Sequence, residues 1–328
     1  MKRRAMLQFM TLGTALPVFG ACQSRLEQGA RTGVLEGLPP LPATLPAGAV
    51  QGGVIIRRRY VDGPFGQMHL HIAQPIAAGA VRQRPMVCFH PTAVSGAYYR
   101  DFMLQMAKDR VVVAPDTPGY GRSDSPQEPQ SMAALAEAAA AAMDALGLGG
   151  SDGAADLLGF HTGVFIATEL AIERPDLVHR LVLPGIPYYE PEVQREKYAQ
   201  YARATPLDDA GTKVRKEWDF WVSRRDPAVP LRRGAQDFVD QLQALDRGWW
   251  GYHGVFSYPA QARLPQVRQP VLIPLIADSL QANTEAASRL LPTVRVEDLT
   301  DIERSFFYVG AQRLATLCRE FLDGDLTG

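Results

Sequence analysis

The residue of this sequence best placed for chemistry is His161, which stands between two glycines. In the stretch LLGFHTGVFIATELA (157–171), Gly159 and Gly163 flank the histidine, an apolar run of strand character precedes it, and a helix-forming segment follows. Glycines at this spacing allow a tight turn that projects the side chain between them. At the positive end of a helix, and covered by protein, an imidazole is expected to stay neutral near pH 7 and to accept a proton.

Three carboxylates follow later strand-like runs and could orient this imidazole. Asp278 follows QPVLIPLIA, whereas Asp301 and Glu303 follow VRVEDLT. Because the carboxyl ends of parallel strands meet at one edge of a sheet, these acids and His161 are expected at the same edge. We expect Asp278 to be the partner, since a hydrogen bond to a carboxylate fixes the tautomer of the ring and raises its basicity.

Other histidines and two tryptophans are candidates for a pocket around this site. His90 follows the strand-like run PMVCF and is expected to brace its own loop by hydrogen bonds. Trp249, Trp250 and His253 lie together in WWGYHGVF, from which a covering segment could lower His253 into the pocket. His179 is expected to be an exposed residue at the start of a strand.

No cluster of histidines and cysteines has the spacing of a zinc site, and no CxxC motif occurs. His69 and His71 share one face of a predicted strand, but no further ligands are apparent, so we expect a solvated strand face. Cys88 and Cys318 fall in a predicted strand and a terminal helix, where two buried thiols are expected, although an exported protein could pair them in a disulfide. We therefore predict neither a metal nor a cofactor.

Strand-like and helix-like segments alternate along most of the chain. Two strand-like runs, GVIIRRRYV and QMHLHIAQP, are separated by DGPFG and predict a hairpin. Short apolar runs then alternate with helical patterns up to residue 187, and the alternation resumes after residue 263. This pattern predicts a mostly parallel sheet flanked by helices, an α/β fold formed by residues 53–187 and 264–328.

The segment 188–263 interrupts this alternation and is charged and helical in composition. It contains all four tryptophans of the chain. An insertion between two core strands is expected to lie over the carboxyl ends of the strands, where open α/β sheets bind ligands. We therefore predict a helical cap over the site, with at least one tryptophan facing the cleft.

Residues 1–22 are predicted to direct export. Two arginines near the start resemble a twin-arginine signal, an apolar stretch follows them, and FGAC resembles a bacterial lipobox whose Cys22 would be lipidated. A simple cleaved signal and an uncleaved anchor are the alternatives. Residues 23–52 are rich in Gly, Pro and Ala and indicate a tether. We expect an exported protein, either periplasmic or anchored in the membrane as a lipoprotein.

Three stretches together resemble the α/β-hydrolase superfamily, in its lid-containing branch of ester and epoxide hydrolases. They are VCFHPTAVSGAYYRDF, VVVAPDTPGYGRSD and LLGFHTG with the segment after it, and the resemblance extends over residues 53–322. It implies the α/β-hydrolase fold, with a nucleophile between the two glycines, an acid later in the chain and a histidine near the end. Here His161 occupies the nucleophile position and Asp278 the acid position. No histidine follows His253, so the usual triad cannot be assembled.

The resemblance also implies an oxyanion hole next to His161. The backbone N–H of Thr162 is at the position of the family's first donor. Pro91 stands where the family commonly has glycine and has no N–H, so Thr92 is expected to be the second donor. The elements of an oxyanion hole are therefore retained although the triad is not.

Composition excludes nucleic acid as a partner and leaves two functions open. The chain has 328 residues, 46% hydrophobic and 21% charged, and a formal net charge of −1, which gives no field that would attract nucleic acid.

The first function is a cofactor-independent hydrolase of an apolar ester, lactone or similar carbonyl compound, in which His161 activates water. The second is a catalytically inactive relative that binds a small apolar molecule or a protein partner. The sequence indicates no oligomeric state.

Overall fold

The computed structural model describes residues 41, 44–46, 48–302 and 305–324. The predicted export signal with Cys22, most of the predicted tether, and Glu303 lie outside the described residues. In the described part of the chain, no helix combines the length and the hydrophobicity needed to cross a membrane.

Nine strands form one central sheet. In chain order they are β1 (Val50–Gln51), β2 (Val54–Gly63), β3 (Gly66–Pro75), β4 (Met86–Phe89), β5 (Val112–Pro115), β6 (Ala155–Gly159), β7 (Val178–Val182), β8 (Val271–Ile276) and β9 (Val294–Leu299). Across the sheet their order is β1-β2-β3-β5-β4-β6-β7-β8-β9. Three pairs are antiparallel: β1 with β2, β2 with β3, and β3 with β5. All the other pairs are parallel. This is the mostly parallel sheet that the sequence predicts, and β2 and β3 form the predicted hairpin.

Helices flank the sheet and form the inserted segment. They are α1 (Arg100–Met106), α2 (Met132–Ala145), α3 (Gly150–Gly153), α4 (Thr162–Glu173), α5 (Pro191–Tyr201), α6 (Thr212–Trp218), α7 (Leu231–Gln243), α8 (Trp250–Ser257), α9 (Ala260–Arg263), α10 (Gln281–Ser288), α11 (Phe306–Val309) and α12 (Ala311–Asp323). The five helices from α5 to α9 lie between β7 and β8, within the predicted insertion 188–263.

Alternate residues of the central strands face two apolar cores on opposite sides of the sheet. On β4, Val87 and Phe89 belong to a core that also contains residues of α2, α4 and α10. Met86 and Cys88 belong to a second core, with residues of α1, α11 and α12. Cys88 and Cys318 are buried free thiols of this second core, and burial raises the pKa of both.

The inserted segment is attached to the core through its later helices. No residue of α5 or α6 is buried, whereas α7 buries Gly234 and Phe238 and half of α8 is buried. After α8, the hydroxyl of Tyr258 donates to Oε1 of Glu169 on α4 at 2.7 Å. Arg263 bonds the same carboxylate with two nitrogens, at 2.7 and 2.8 Å. The end of the insertion is therefore fixed to the helix that follows His161.

Candidate active site

His161 stands at the turn between β6 and α4, in a backbone conformation that few residues other than glycine adopt. Its φ is 50° and its ψ is −112°, a strained geometry of the kind found at functional turns. The flanking glycines leave no room for side chains. A Cβ at Gly159 would lie 2.3 Å from the carbonyl oxygen of Gly163, and a Cβ at Gly163 would lie 1.9 Å from that of Phe89. The turn therefore packs directly against β4.

The ring of His161 is hydrogen bonded to Asp278, in the loop that follows β8. Nε2 and Oδ2 are 2.8 Å apart, and Oδ1 of Asp278 accepts the N–H of Leu280 at 2.8 Å. Because a carboxylate only accepts, Nε2 carries a proton, and the tautomer with a single proton has its lone pair on Nδ1. Among the described residues, Nδ1 has no hydrogen-bond partner. The His161 side chain is 33% exposed, so it is less shielded from solvent than the sequence predicts.

Gly185, in the loop that follows β7, provides the space for this ring. Its φ is +64°, and a Cβ there would lie 2.6 Å from Cδ2 and 2.9 Å from Nε2 of His161. The ring of Phe160 lies 3.9 Å from the imidazole between centroids, so the imidazole is confined by both neighbours. Sequence reasoning missed Gly185, although the dipeptide Pro184-Gly185 after a strand-like run marks a turn.

The two threonines predicted as oxyanion-hole donors lie side by side. Their hydroxyl oxygens are 2.7 Å apart, and the N–H of Thr92 donates to Oγ1 of Thr162 at 3.3 Å. Thr162 is the first residue of α4, so its own N–H has no carbonyl of the helix to bond. Both threonines therefore lie at the His161 turn. The Thr162 hydroxyl accepts the Thr92 N–H, which is the group predicted to bind the substrate oxygen.

His90 is buried and connects two loops at the same edge of the sheet. The N–H of Thr117 donates to Nε2 of His90 at 2.9 Å, so Nδ1 carries the proton and donates to the carbonyl of Pro91 at 2.9 Å. Burial lowers the pKa of His90. The ring stays neutral and braces its loop, as the sequence predicts.

The tryptophans and the histidine of α8 lie at different places in the inserted segment. Trp250 packs against a small apolar cluster formed by Ala93, Tyr120 and Ala244. Nδ1 of His253 is 2.9 Å from the hydroxyl of Tyr198, and its ring lies edge-on to Trp249 at 6.5 Å between centroids. These contacts of His253 are all within the insertion, and none of them involves His161.

Two further polar candidates have partners elsewhere. Asp301 pairs with Arg313 on α12, so it does not orient His161. His179 was expected to be exposed, but its Nδ1 is 2.8 Å from the buried carboxylate of Asp156 and its side chain is only 31% exposed. The hydrogen bond fixes this ring at the start of β7.

His69 and His71 do not form a solvated strand face. His69 is fully buried, and its Nδ1 donates to Oδ2 of Asp116 at 2.8 Å, while Nε2 of His71 lies 3.4 Å from Oδ1. The N–H groups of Gly96 and Arg122 donate to the same carboxylate at 2.8 and 2.9 Å. Burial alone would raise the pKa of Asp116, but the bonds from the two histidines hold it well below its usual range.

The ligand atoms of His69, His71 and Asp116 lie within 4.8 Å of one another, a spacing that would allow a metal ion. In the structure, however, N–H groups converge on both oxygens of the carboxylate, and a metal would have to displace them. The three side chains therefore act as a hydrogen-bonded hub that joins β3 to the loops after β4 and β5. Sequence reasoning did not find this hub, because Asp116 is distant from the histidines along the chain.

Comparison with known proteins shows which family the chain is similar to. A sequence model described as the alpha/beta hydrolase fold matches residues 84–215, which include β4, β5 and the turn at His161. Residues 84–215 of the chain are therefore similar to the α/β-hydrolase family. The central sheet of the chain and the helices on both faces have the arrangement of that fold, with a helical insertion after β7.

Individual relatives share parts of the sequence or the fold. The 2-hydroxymuconate semialdehyde hydrolase of a Pseudomonas species is 37% identical over 105 residues, 31% of this chain and 36% of the relative. Polyketide synthase ThaQ of Burkholderia thailandensis is 27% identical over 246 residues, 71% of this chain and 11% of the synthase. The chain therefore spans well under two thirds of either curated relative. The enol-lactonase from Burkholderia xenovorans shares the fold, with a TM-score of 0.65 and 16% identity over 81% of this chain and 100% of that chain.

Proposed function

We propose that this protein hydrolyses a small or medium apolar ester, lactone or similar carbonyl compound, with His161 as the general base. The observation that carries the proposal is the 2.8 Å hydrogen bond between Nε2 of His161 and Asp278. This bond leaves Nδ1 free to take a proton from water. The reaction class is supported by relatives that are named as a semialdehyde hydrolase and an enol-lactonase.

In the proposed mechanism, water replaces the side-chain nucleophile of the family. Nδ1 of His161 removes a proton from water as the water oxygen attacks the carbonyl carbon, and Asp278 stabilises the imidazolium that forms. The negative charge on the carbonyl oxygen is stabilised by the N–H of Thr162 and, once the Thr162 hydroxyl has moved away, by the N–H of Thr92. The imidazolium then protonates the leaving alkoxide. No cofactor takes part.

Aromatic neighbours of His161 support an uncharged, apolar substrate. Phe160 lies next to the imidazole at a tilt of 31°, and the ring of Tyr98 lies parallel to Phe160 at 6.2 Å between centroids. Burial raises the pKa of Tyr98, so its hydroxyl stays neutral. Phe160 itself is buried, so the partly exposed ring of Tyr98 is the apolar surface that would meet an acyl group.

A second candidate function is the binding of an apolar ligand or a protein partner without turnover. Two observations favour it. The N–H of Thr92 already donates to Thr162 at 3.3 Å, and no histidine follows His253 to complete a triad. In this function the pocket of the family is retained while its chemistry is lost.

A panel of short-chain aryl esters and lactones distinguishes the two functions. We expect hydrolysis by the wild type, loss of hydrolysis in His161→Ala, and a decrease in kcat of roughly 10²-fold or more in Asp278→Asn. His161→Ser should stay inactive, because no later histidine activates the serine. His179→Ala is the matched control, since it removes a histidine of similar exposure from a carboxylate at the same distance.

Tight retention of an apolar ligand without any turnover would instead establish the second function. Strong esterase activity in His161→Ser would show that another histidine, such as His253, reaches the site and that His161 is not the base.

We also propose that the protein is exported, and that residues 1–22 are removed or that Cys22 is lipidated, which would tether the protein to a membrane. The support is the order of paired arginines, apolar stretch and cysteine in the sequence. Mass spectrometry of the protein from its native host tests this. An intact Met1 on protein from the soluble cytoplasm would contradict export.

A further inference from the structure

The loop after β4, residues 92–98, is held by side chains of the inserted segment. The N–H of Ser95 donates to Oδ2 of Asp240 at 2.9 Å, and the hydroxyl of Ser95 donates to the same oxygen. The N–H of Ala93 donates to Oε1 of Gln241 at 3.4 Å. Both acceptors are on α7, so one helix of the insertion satisfies two backbone donors of a loop that forms no sheet pairs of its own.

The same helix also donates to this loop. Nη2 of Arg233 bonds the carbonyl of Tyr98 at 3.1 Å. The core also holds the loop through the N–H of Gly96, which donates to Asp116 at 2.8 Å. Ser95 is only 2% exposed, so water does not reach it easily to replace a lost partner.

The start of α8 covers the residue of this loop that matters most for the proposed chemistry. A Cβ at Gly251 would lie 1.8 Å from Oγ1 of Thr92, so the insertion packs against Thr92 at a position where only glycine fits. The N–H of Gly251 donates to the hydroxyl of Tyr120 at 2.6 Å. Thr92 is therefore enclosed between the turn at His161 and the inserted segment.

We propose that Asp240 is a positioning residue, which acts through Ser95 to set the loop that carries Thr92, so that the inserted segment completes the oxyanion hole. Ser95 is three residues after Thr92, and a bond that fixes Ser95 limits the positions that the Thr92 N–H can take. The proposal rests on the proposed function in one respect, that Thr92 donates to the substrate oxygen. The oxyanion hole can then bind the substrate oxygen with both N–H groups only while α7 is docked on the core.

Hydrogen–deuterium exchange of the purified full chain tests the structural step without any need for turnover. In Asp240→Ala, the amides of residues 93–97 should exchange roughly fivefold to tenfold faster, as expected for a lost buried hydrogen bond. Asp240→Asn keeps an oxygen that can accept the Ser95 N–H, so it should restore much of the protection. Asp246→Ala is the control, because it removes an exposed acid of the same insertion.

Kinetics with an aryl ester test the functional step. Asp240→Ala should lower kcat roughly tenfold to a hundredfold with little change in KM, because a displaced oxyanion donor affects the transition state more than substrate binding. Asp240→Asn should recover part of this loss. Asp246→Ala should match the wild type.

The results separate the two proposals. If the wild type shows no turnover but Asp240→Ala loosens the loop, the proposed hydrolase function is wrong and the control of the loop by α7 stands. If the wild type is active and Asp240→Ala behaves like Asp246→Ala in exchange and kinetics, the role of Asp240 is wrong and the function of His161 stands.

Discussion

The imidazole of His161 reaches Asp278 through space that a side chain at position 185 would fill. In Gly185→Ala, the new methyl group would lie 2.6 Å from Cδ2 and 2.9 Å from Nε2 of the ring, and the backbone φ of +64° would be strained. We expect the ring to be displaced from the carboxylate. The proton NMR resonance of the Nε2–H hydrogen bond should disappear, and any ester hydrolysis should fall at least roughly tenfold.

Gly79→Ala is the matched control for this variant. Gly79 has a φ of +69°, but nothing lies within 4 Å of a Cβ built there, so the substitution brings the backbone strain without the contact. The Nε2–H resonance should persist in Gly79→Ala. If Gly185→Ala keeps it as well, Gly185 does not position the ring.

Individual residues of the site were predictable where the topology alone brings them together. The structure has the hydrogen bond between His161 and Asp278 that the sequence predicts, because both residues follow parallel strands and meet at one sheet edge. The hub at Asp116 and the space at Gly185 were not predictable. Each depends on how loops from distant strands approach one another within a few ångströms, and no local pattern of residues encodes that distance.

At the scale of elements, α7 docks on the core through charged side chains that are partly removed from water. Arg233 lies 3.1 Å from Asp237 on the same helix and 3.4 Å from Asp101 on α1. Burial raises the pKa of Asp237 to about 6, against the lowering effect of Arg233 and with a further rise from Asp240 and Asp101. Since the folded state then binds more protons than the unfolded chain, the contribution of Asp237 to stability is present at low pH and is lost as the pH rises through about 6.

Asp237→Asn should remove this pH dependence. The thermal midpoint of the variant minus that of the wild type should be greater at about pH 8 than at about pH 4.5, because only the wild type carries a poorly solvated charge at the higher pH. Asp246→Asn, at an exposed acid of the same insertion, should show the same difference at both pH values. Parallel behaviour of the two variants would contradict a buried, proton-binding Asp237.

The elements differ in how clearly the sequence predicted them. Parallel strands that are buried on both faces give short apolar runs, so the alternation of the core and the position of the insertion followed from periodicity. Within the insertion, α5 and α6 bury no residue and therefore show no apolar stripe that would fix their bounds or their packing. The contacts of α7 with the loop after β4 are polar and join distant residues, which periodicity does not reveal.

At the scale of the whole molecule, buried charge holds the last helix against the sheet. Arg110, which precedes β5, is fully buried and bonds both Asp109 at 3.0 Å and Asp323 at the end of α12. Arg180 on β7 donates to the backbone carbonyl of Phe321 on the same helix. Arg110, before β5, and Arg180, on β7, thus both bond α12, in addition to the apolar core beneath it.

Asp323→Ala should therefore destabilise the whole fold and not only the end of the chain. Arg110 would keep Asp109 as a partner. We therefore expect the free energy of unfolding to fall by roughly 2 kcal/mol, less than the roughly 3–5 kcal/mol typical of a buried charge left without a partner.

Asp301→Ala is the matched control, because Asp301 also pairs with an arginine, but the side chains of Arg313 and Asp301 are 50% and 66% exposed. Exposed pairs contribute about 0.5 kcal/mol, so the control should change little. Urea unfolding of the two variants measures the difference, and equal losses would show that apolar contacts alone hold α12 in place.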